Sequence, residues 1–378
     1  MNKKILFISG TRADFGKLKP IINKTLNIPN FTTSIFVTGM HMLSKYGYTY
    51  EEVKNNFSEI VYGFVNQNSR SSLDEILSKT ILGLSDFVRE NMPDLIIVHG
   101  DRVEALAGAI VGSLNNIRVA HIEGGEVSGT IDESIRHAVT KFSHIHFVAN
   151  SISKHRLIKM GEDSNSIFEI GSPDFDVMTS NELPSIIESK SHYSIPFSKY
   201  SIVLFHPVTT ELSNLKNEIL DLVQALNESK KKYIVIMPNN DPGSEIIHDA
   251  FEKNLNLQHC KYFPSIRFEY FLTLLKNSEM IIGNSSAGIR EAPFFGIPTI
   301  NIGSRQNKRS NNPNIINIKC QKKLILDAIY LAGKVKLNPE FNEFGFLPDK
   351  TSSDRFIEVL INPIMWEINI QKTFNEMS

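Results

Sequence analysis

The chain has 378 residues, 41% hydrophobic and 21% charged, with a formal net charge of −1. That length suits two domains at ~100–200 residues each, and the near-neutral charge leaves no global field to draw in nucleic acid or an anionic membrane. No apolar stretch approaches the ~18–20 residues of a membrane span, and the two cysteines, Cys260 and Cys320, read as reduced thiols in a cytoplasmic protein rather than a disulfide framework.

In chain order, Ile5-Leu6-Phe7-Ile8 opens a series of short apolar runs; this first one is too short for a signal-peptide core and reads as a strand. Ser34-Ile35-Phe36-Val37, Leu95-Ile96-Ile97-Val98, Val119-Ala120-His121-Ile122 and Ile145-His146-Phe147-Val148 follow. After a Pro- and Ser-rich stretch at 171–200, expected to be a linker, come Ile202-Val203-Leu204-Phe205, Tyr233-Ile234-Val235-Ile236, Met280-Ile281-Ile282 and Thr299-Ile300-Asn301-Ile302. The runs are rich in β-branched residues and predict strands buried on both faces. Between them the spacing predicts helices over 73–92, 103–114 and 216–229, and a further one from Thr351 to Phe374. Strands alternating with helices imply parallel sheets. The expected fold is therefore α/β, with two doubly wound Rossmann-like domains facing a cleft. The first spans 1–175, with a C-terminal helix within 351–378 packing back onto it, and the second spans 176–350.

In open α/β sheets ligands sit beyond the carboxyl ends of the strands, so the residues after each run are the candidates. Asp101, Glu123, Glu126 and Asp132 form a carboxylate set in which neighbours raise one another's pKa, as acid–base work at a sugar carbon requires; Asp101 can equally cap a helix. No His-x-x-x-His pattern, cysteine cluster or acidic calcium loop is present, so no metal site is expected. Gly10-Thr11-Arg12 is a turn with one cation. It matches neither the dinucleotide fingerprint nor a P-loop, and Arg12 fits a bidentate phosphate contact or a structural ion pair. His206 ends a strand and suits proton transfer or phosphate contact, with a structural role as the alternative. His121, His137, His144 and His146 are read as structural. Gly283-Asn284-Ser285-Ser286 joins a strand to a helix expected from Ser286 to Phe295. Its N-terminus fits a phosphate or is a plain serine cap. Glu291, in the same helix, fits ribose hydroxyls or is simply exposed.

The order of these motifs decides more than any one of them. Gly10-Thr11-Arg12-Ala13-Asp14-Phe15-Gly16, Val37-Thr38-Gly39-Met40-His41, His99-Gly100-Asp101-Arg102, His121-Ile122-Glu123-Gly124-Gly125-Glu126, Asp132-Glu133-Ser134-Ile135-Arg136-His137, Phe205-His206-Pro207, Gly283-Asn284-Ser285-Ser286 and Gly303-Ser304-Arg305-Gln306 occur in sequence. The series, over roughly residues 4–310, resembles the hydrolysing UDP-N-acetylglucosamine 2-epimerases of sialic-acid and capsule pathways. Non-hydrolysing relatives carry Gly-Thr-Arg-Pro-Glu and His-Val-Glu-Ala-Gly at the matching places. The resemblance implies a glycosyltransferase-B-type fold, no cofactor or metal, a UDP-sugar substrate and a homodimer or homotetramer. It assigns Asp101, Glu123 and Asp132 as catalytic carboxylates and His206 as the histidine near the leaving phosphate. Arg12, Ser285, Ser286 and Glu291 match nucleotide contacts. Ser265-Ile266-Arg267-Phe268 matches a segment holding uracil through its backbone, and Arg305 matches a phosphate or sugar contact.

The implied chemistry releases UDP, forms a glycal by loss of the C2 proton, and hydrates it with inversion at C2. The alternatives are the same reaction on UDP-2,4-diacetamido-2,4,6-trideoxyglucose, a non-hydrolysing epimerase, a UDP-sugar glycosyltransferase and a non-catalytic sensor. Phe15, where tyrosine is common in the diacetamido branch, leans towards N-acetylglucosamine.

Overall fold

A computed structural model describes residues 2–68, 70–306, 309–310, 312–334, 345, 347–373 and 375. The chain divides into two compact units: Met1–Val127, Asp132–Thr179 and Phe344–Ser378 form the first, and Ser128–Ile131 with Ser180–Glu343 the second. The division thus falls at Thr179 rather than 175, and residues 128–131 group with the second unit.

The first unit is built on seven parallel strands, β1 (Lys3–Ser9), β2 (Phe31–Val37), β3 (Val61–Gly63), β4 (Leu95–His99), β5 (Arg118–Ile122), β6 (Ile145–Val148) and β7 (Ile167–Glu169). They run in the order β3-β2-β1-β4-β5-β6-β7. Side chains alternate between two cores. Ile5, Phe7, Ile35, Val37, Leu95 and Ile97 pack on one face; Leu6, Ile8, Phe36, Ile96 and Val98 pack on the other. Burial on both faces is what makes these strands read as unbroken apolar runs. The first core takes in Leu18, Ile21 and Ile22 of the helix Arg12–Leu26, and also Phe356, Leu360 and Met365 from the end of the chain. The expected C-terminal helix is two, Ser352–Leu360 and Pro363–Glu367, divided before Pro363, whose fixed φ and missing N–H suit a first helical turn. Phe356 is fully buried, its ring 4.7 Å from that of Phe147.

The second unit has six parallel strands, β8 (Ser201–Leu204), β9 (Tyr233–Ile236), β10 (Cys260–Phe263), β11 (Ile281–Gly283), β12 (Thr299–Ile302) and β13 (Ile315–Ile318). Their order is β10-β9-β8-β11-β12-β13. Both sheets are doubly wound, and each has one place where the strand order reverses: between β1 and β4, and between β8 and β11. Ligands bind at such switch points in open α/β sheets. The stretch expected as a linker is partly helical, with Pro173–Met178 in the first unit and Ile186–His192 in the second. Among the described residues no helix is long and apolar enough to cross a membrane.

Candidate functional site

In the first unit the candidates sit on the loops after β1, β4 and β5. Gly100, at φ +74°, turns the chain directly after β4, and its N–H donates to Ile122 O at 3.0 Å. Asp101 follows. Its carboxylate does not cap the next helix, whose N-cap is Arg102 with no side-chain bond. It is held instead by the Arg136 guanidinium. The same guanidinium donates to Glu123 O at 2.5 Å. Arg136 is buried and projects from the helix Ile131–Phe142. Asp132 lies one turn earlier, half-buried, at an i, i+4 spacing that shares a helix face with Arg136.

Glu123, 6% exposed, sits at φ +68°. A left-handed conformation in a non-glycine residue is strained by about 1 kcal/mol or more and concentrates at functional positions. Its carboxylate lies 2.9 Å from Lys17 Nζ and 3.4 Å from His99 Nε2. Lys17, on the helix Arg12–Leu26, also reaches Asp174 at 3.2 Å. Two buried carboxylates thus share one ammonium beside the strand ends, while Asp101 has a separate cation in Arg136.

His121 is structural in a specific way. Burial, and secondarily the Arg136 charge, lowers its pKa to about 3, so the ring is neutral. Nε2 lies 2.8 Å from Gly100 O, which can only accept, and Nδ1 lies 3.2 Å from Thr140 Oγ1. That fixes the proton on Nε2 and makes Nδ1 the acceptor.

The loop after β1 closes on itself. Asp14 accepts from Ser9 Oγ (2.9 Å), Gly10 N (2.9 Å) and Thr11 N (3.0 Å) in a capping box with Thr11. Arg12 pairs with Glu52, Nε to Oε2 2.8 Å, so the ion-pair alternative is the arrangement observed. Phe15 points into the core, 1% exposed, its ring 6.0 Å from Phe57 and 6.2 Å from His41.

In the second unit the loops after β8, β11 and β12 converge. His206 is buried, with its backbone N–H donating to Asn284 Oδ1 at 2.7 Å and its carbonyl accepting from Asn284 Nδ2 at 2.8 Å. Asn284 O accepts from Arg305 Nη1 (3.2 Å) and Gln306 Nε2 (2.9 Å). Ser285 caps a single 3-10 turn, Ser286–Gly288, by accepting from Ala287 N at 3.3 Å. The helix expected from Ser286 to Phe295 is broken: after this turn only Glu291–Phe294 is α-helical. Any anion site here therefore rests on the backbone N–H groups of a short turn rather than on a long helix. Glu291 is buried rather than exposed, at the start of that short helix. Arg267 is the N-cap residue of the helix Phe268–Lys276, and its backbone N–H donates to the Tyr193 hydroxyl at 2.9 Å.

The structure therefore ties the Asp101 side chain and the Glu123 backbone to one Arg136 in the first unit, and groups His206, Ser285 and Arg305 around Asn284 in the other. Lys17 and Asp174 were not singled out from sequence, and His99, Arg136 and Asn284 stood in the quoted motifs without a role of their own. Among the described residues no three His, Cys, Asp or Glu side chains are placed to hold a metal ion.

The buried imidazoles make acid stability predictable. Burial lowers His41 to about 4, His121 to about 3 and His144 to about 4, against ~6.5 in an unfolded chain. Each is neutral when folded, so its contribution is complete above pH ~6.5 and is lost as the pH falls through that value towards the folded pKa. Each raises the unfolding constant by up to about tenfold per pH unit in that window. Asp176, raised by burial, works in the opposite direction as a single group. The urea midpoint is expected to drop clearly between pH 7 and pH 5. An unchanged midpoint would mean that these rings are charged in the folded protein.

Residues 24–361 match the family model described as UDP-N-acetylglucosamine 2-epimerase. The chain is 46% identical over 381 residues to the UDP-N-acetylglucosamine 2-epimerase of Neisseria meningitidis serogroup B, covering 100% of both chains. It is 33% identical to the UDP-N,N'-diacetylbacillosamine 2-epimerase (hydrolyzing) of Legionella pneumophila, covering 95% of this chain and 96% of that one. A crystal structure of UDP-GlcNAc 2-epimerase from Neisseria meningitidis bound to UDP-GlcNAc superposes with a TM-score of 0.77 at 20% identity, covering 95% of this chain and 99% of that one. That likeness shows a shared fold.

Proposed function

Since the chain belongs to the UDP-N-acetylglucosamine 2-epimerase family, we propose that it is a hydrolysing member, converting UDP-N-acetylglucosamine and water to UDP and free N-acetylmannosamine. The observation that carries this is that one buried Arg136 holds the Asp101 carboxylate and the Glu123 backbone carbonyl at neighbouring strand ends, while the Glu123 carboxylate has its own cation in Lys17. Two carboxylates in different electrostatic settings suit a reaction that removes a proton from one face of C2 and delivers one to the other. The C1–O bond breaks with its electron pair leaving on UDP; electron deficiency at C1 acidifies the C2–H. A carboxylate takes that proton, and the C1–C2 double bond of a glycal forms. Water then adds its oxygen to C1 while a proton reaches C2 from the opposite face. Asp101 and Glu123 act as the acid–base pair, supported by Asp132. His206 and Arg305 stabilise the departing diphosphate, with Arg12, Arg267, Ser285, Ser286 and Glu291 as nucleotide contacts. Arg12 takes this part by exchanging Glu52 for phosphate.

Support for hydrolysis comes from the Legionella relative, whose name carries that word; support for N-acetylglucosamine comes from the more similar Neisseria relative. Incubation in heavy water with UDP-N-acetylglucosamine alone tests both the products and the chemistry. UDP and free N-acetylmannosamine with one deuterium at C2 are expected. UDP-N-acetylmannosamine would identify a non-hydrolysing epimerase, and an unchanged substrate consumed only when an acceptor is added would identify a glycosyltransferase. Running UDP-2,4-diacetamido-2,4,6-trideoxyglucose alongside decides the substrate.

A further inference from the structure

His206 lies beyond the end of β8, in backbone that belongs to no strand or helix. Its peptide groups therefore lack the ladder partners of a strand, and the Asn284 carboxamide supplies them: Oδ1 accepts from His206 N at 2.7 Å and Nδ2 donates to His206 O at 2.8 Å. Pro207 follows, with its φ fixed by the ring. Asn284 is itself immobilised. It is 1% exposed, its N–H donates to Leu204 O at 3.0 Å, and its carbonyl accepts from Arg305 and Gln306. Gly283, at φ +137°, brings the two loops as close as backbone allows, since a Cβ there would stand 1.8 Å from Leu204 O.

We propose that Asn284 is a positioning residue for His206, its side-chain amide gripping the His206 peptide at both N–H and C=O and so setting where the imidazole stands. This rests on the reading of His206 as the group beside the leaving diphosphate. Only a carboxamide does this job: a carboxylate accepts from the N–H but has no proton for the carbonyl, and an alkyl side chain offers neither. Replacing the side chain leaves the Asn284 backbone carbonyl in place for Arg305 and Gln306, so the effect of the substitution traces to His206.

The test is a double-mutant cycle in the full chain, with UDP-N-acetylglucosamine as substrate and kcat, KM and the folded fraction read separately. Asn284→Asp is expected to lower kcat about tenfold, the scale of losing one or two net hydrogen bonds, with KM changed less than about twofold. Asn284→Ala is expected to lower kcat at least as much. In a His206→Asn background either substitution is expected to add less than about twofold, because groups acting through one another are non-additive. A full tenfold loss persisting in that background would overturn the positioning role and leave the role of His206 intact. Wild-type turnover in His206→Asn alone would overturn the role of His206, a result distinct from the first. Unchanged kcat in Asn284→Asp, or a loss matched by loss of folded protein, also counts against the proposal.

Discussion

Glu123→Gln lowers turnover by ~10²-fold or more, as does Asp101→Asn, the scale on which general acids and bases contribute. Both substitutions keep the side chain's shape and remove its charge, so they test chemistry before packing. Glu123 is held in a left-handed conformation with its carboxylate between Lys17 and His99. In the proposed reaction, glutamine there can neither take a proton from C2 nor return one. At Asp101 the partner is Arg136, and an asparagine oxygen still accepts that contact, so folding is preserved while proton transfer is lost. Initial rates of UDP release at saturating UDP-N-acetylglucosamine make the measurement. Near-normal rates in both variants would remove these carboxylates from the reaction.

Lys17→Met destabilises the protein by ~3–5 kcal/mol, the scale for removing one partner of a buried ion pair. Lys17 serves Glu123 at 2.9 Å and Asp174 at 3.2 Å, and both carboxylates are buried. Methionine fills the volume of the aliphatic stem, so the loss isolates the ammonium shared by the two acids. Urea denaturation at pH 7 reads it directly; a loss under about 1 kcal/mol, the scale of an exposed pair, would mean that water or another cation takes the place of Lys17.

Burial explains which strands were legible in the sequence. The nine runs expected as strands are the nine interior ones, where both faces are covered and the sequence is continuously apolar. The four that went unread, β3, β7, β10 and β13, are the edges of the two sheets. Three or four residues long and partly exposed, Val61–Gly63 and Ile167–Glu169 among them, they lack the unbroken pattern. The helix Leu73–Asn91 was legible from its periodic face. The helix expected from Ser286 was not what forms, because a serine-capped turn and a helix start look alike over a few residues. At the site, residues just after strands were legible from the fold rule alone. Their pairings were not: Lys17 meets Glu123 across 106 positions and Asn284, itself just after a strand, meets His206 across 78. Nothing local in the sequence records a pairing made by the topology of the sheet.

The first core is closed by Phe356, Leu360 and Met365, which pack with residues from β1 and the helix after it. A ribosome emits this chain from its amino end, so the sheet that carries Asp101 and Glu123 has one face only partly covered, by the helix Arg12–Leu26, until Phe356, Leu360 and Met365 have emerged. The second unit is translated in full before then, and domains fold as units as they appear. The half bearing His206 therefore has all of its own sequence available before the half bearing Asp101 and Glu123 does.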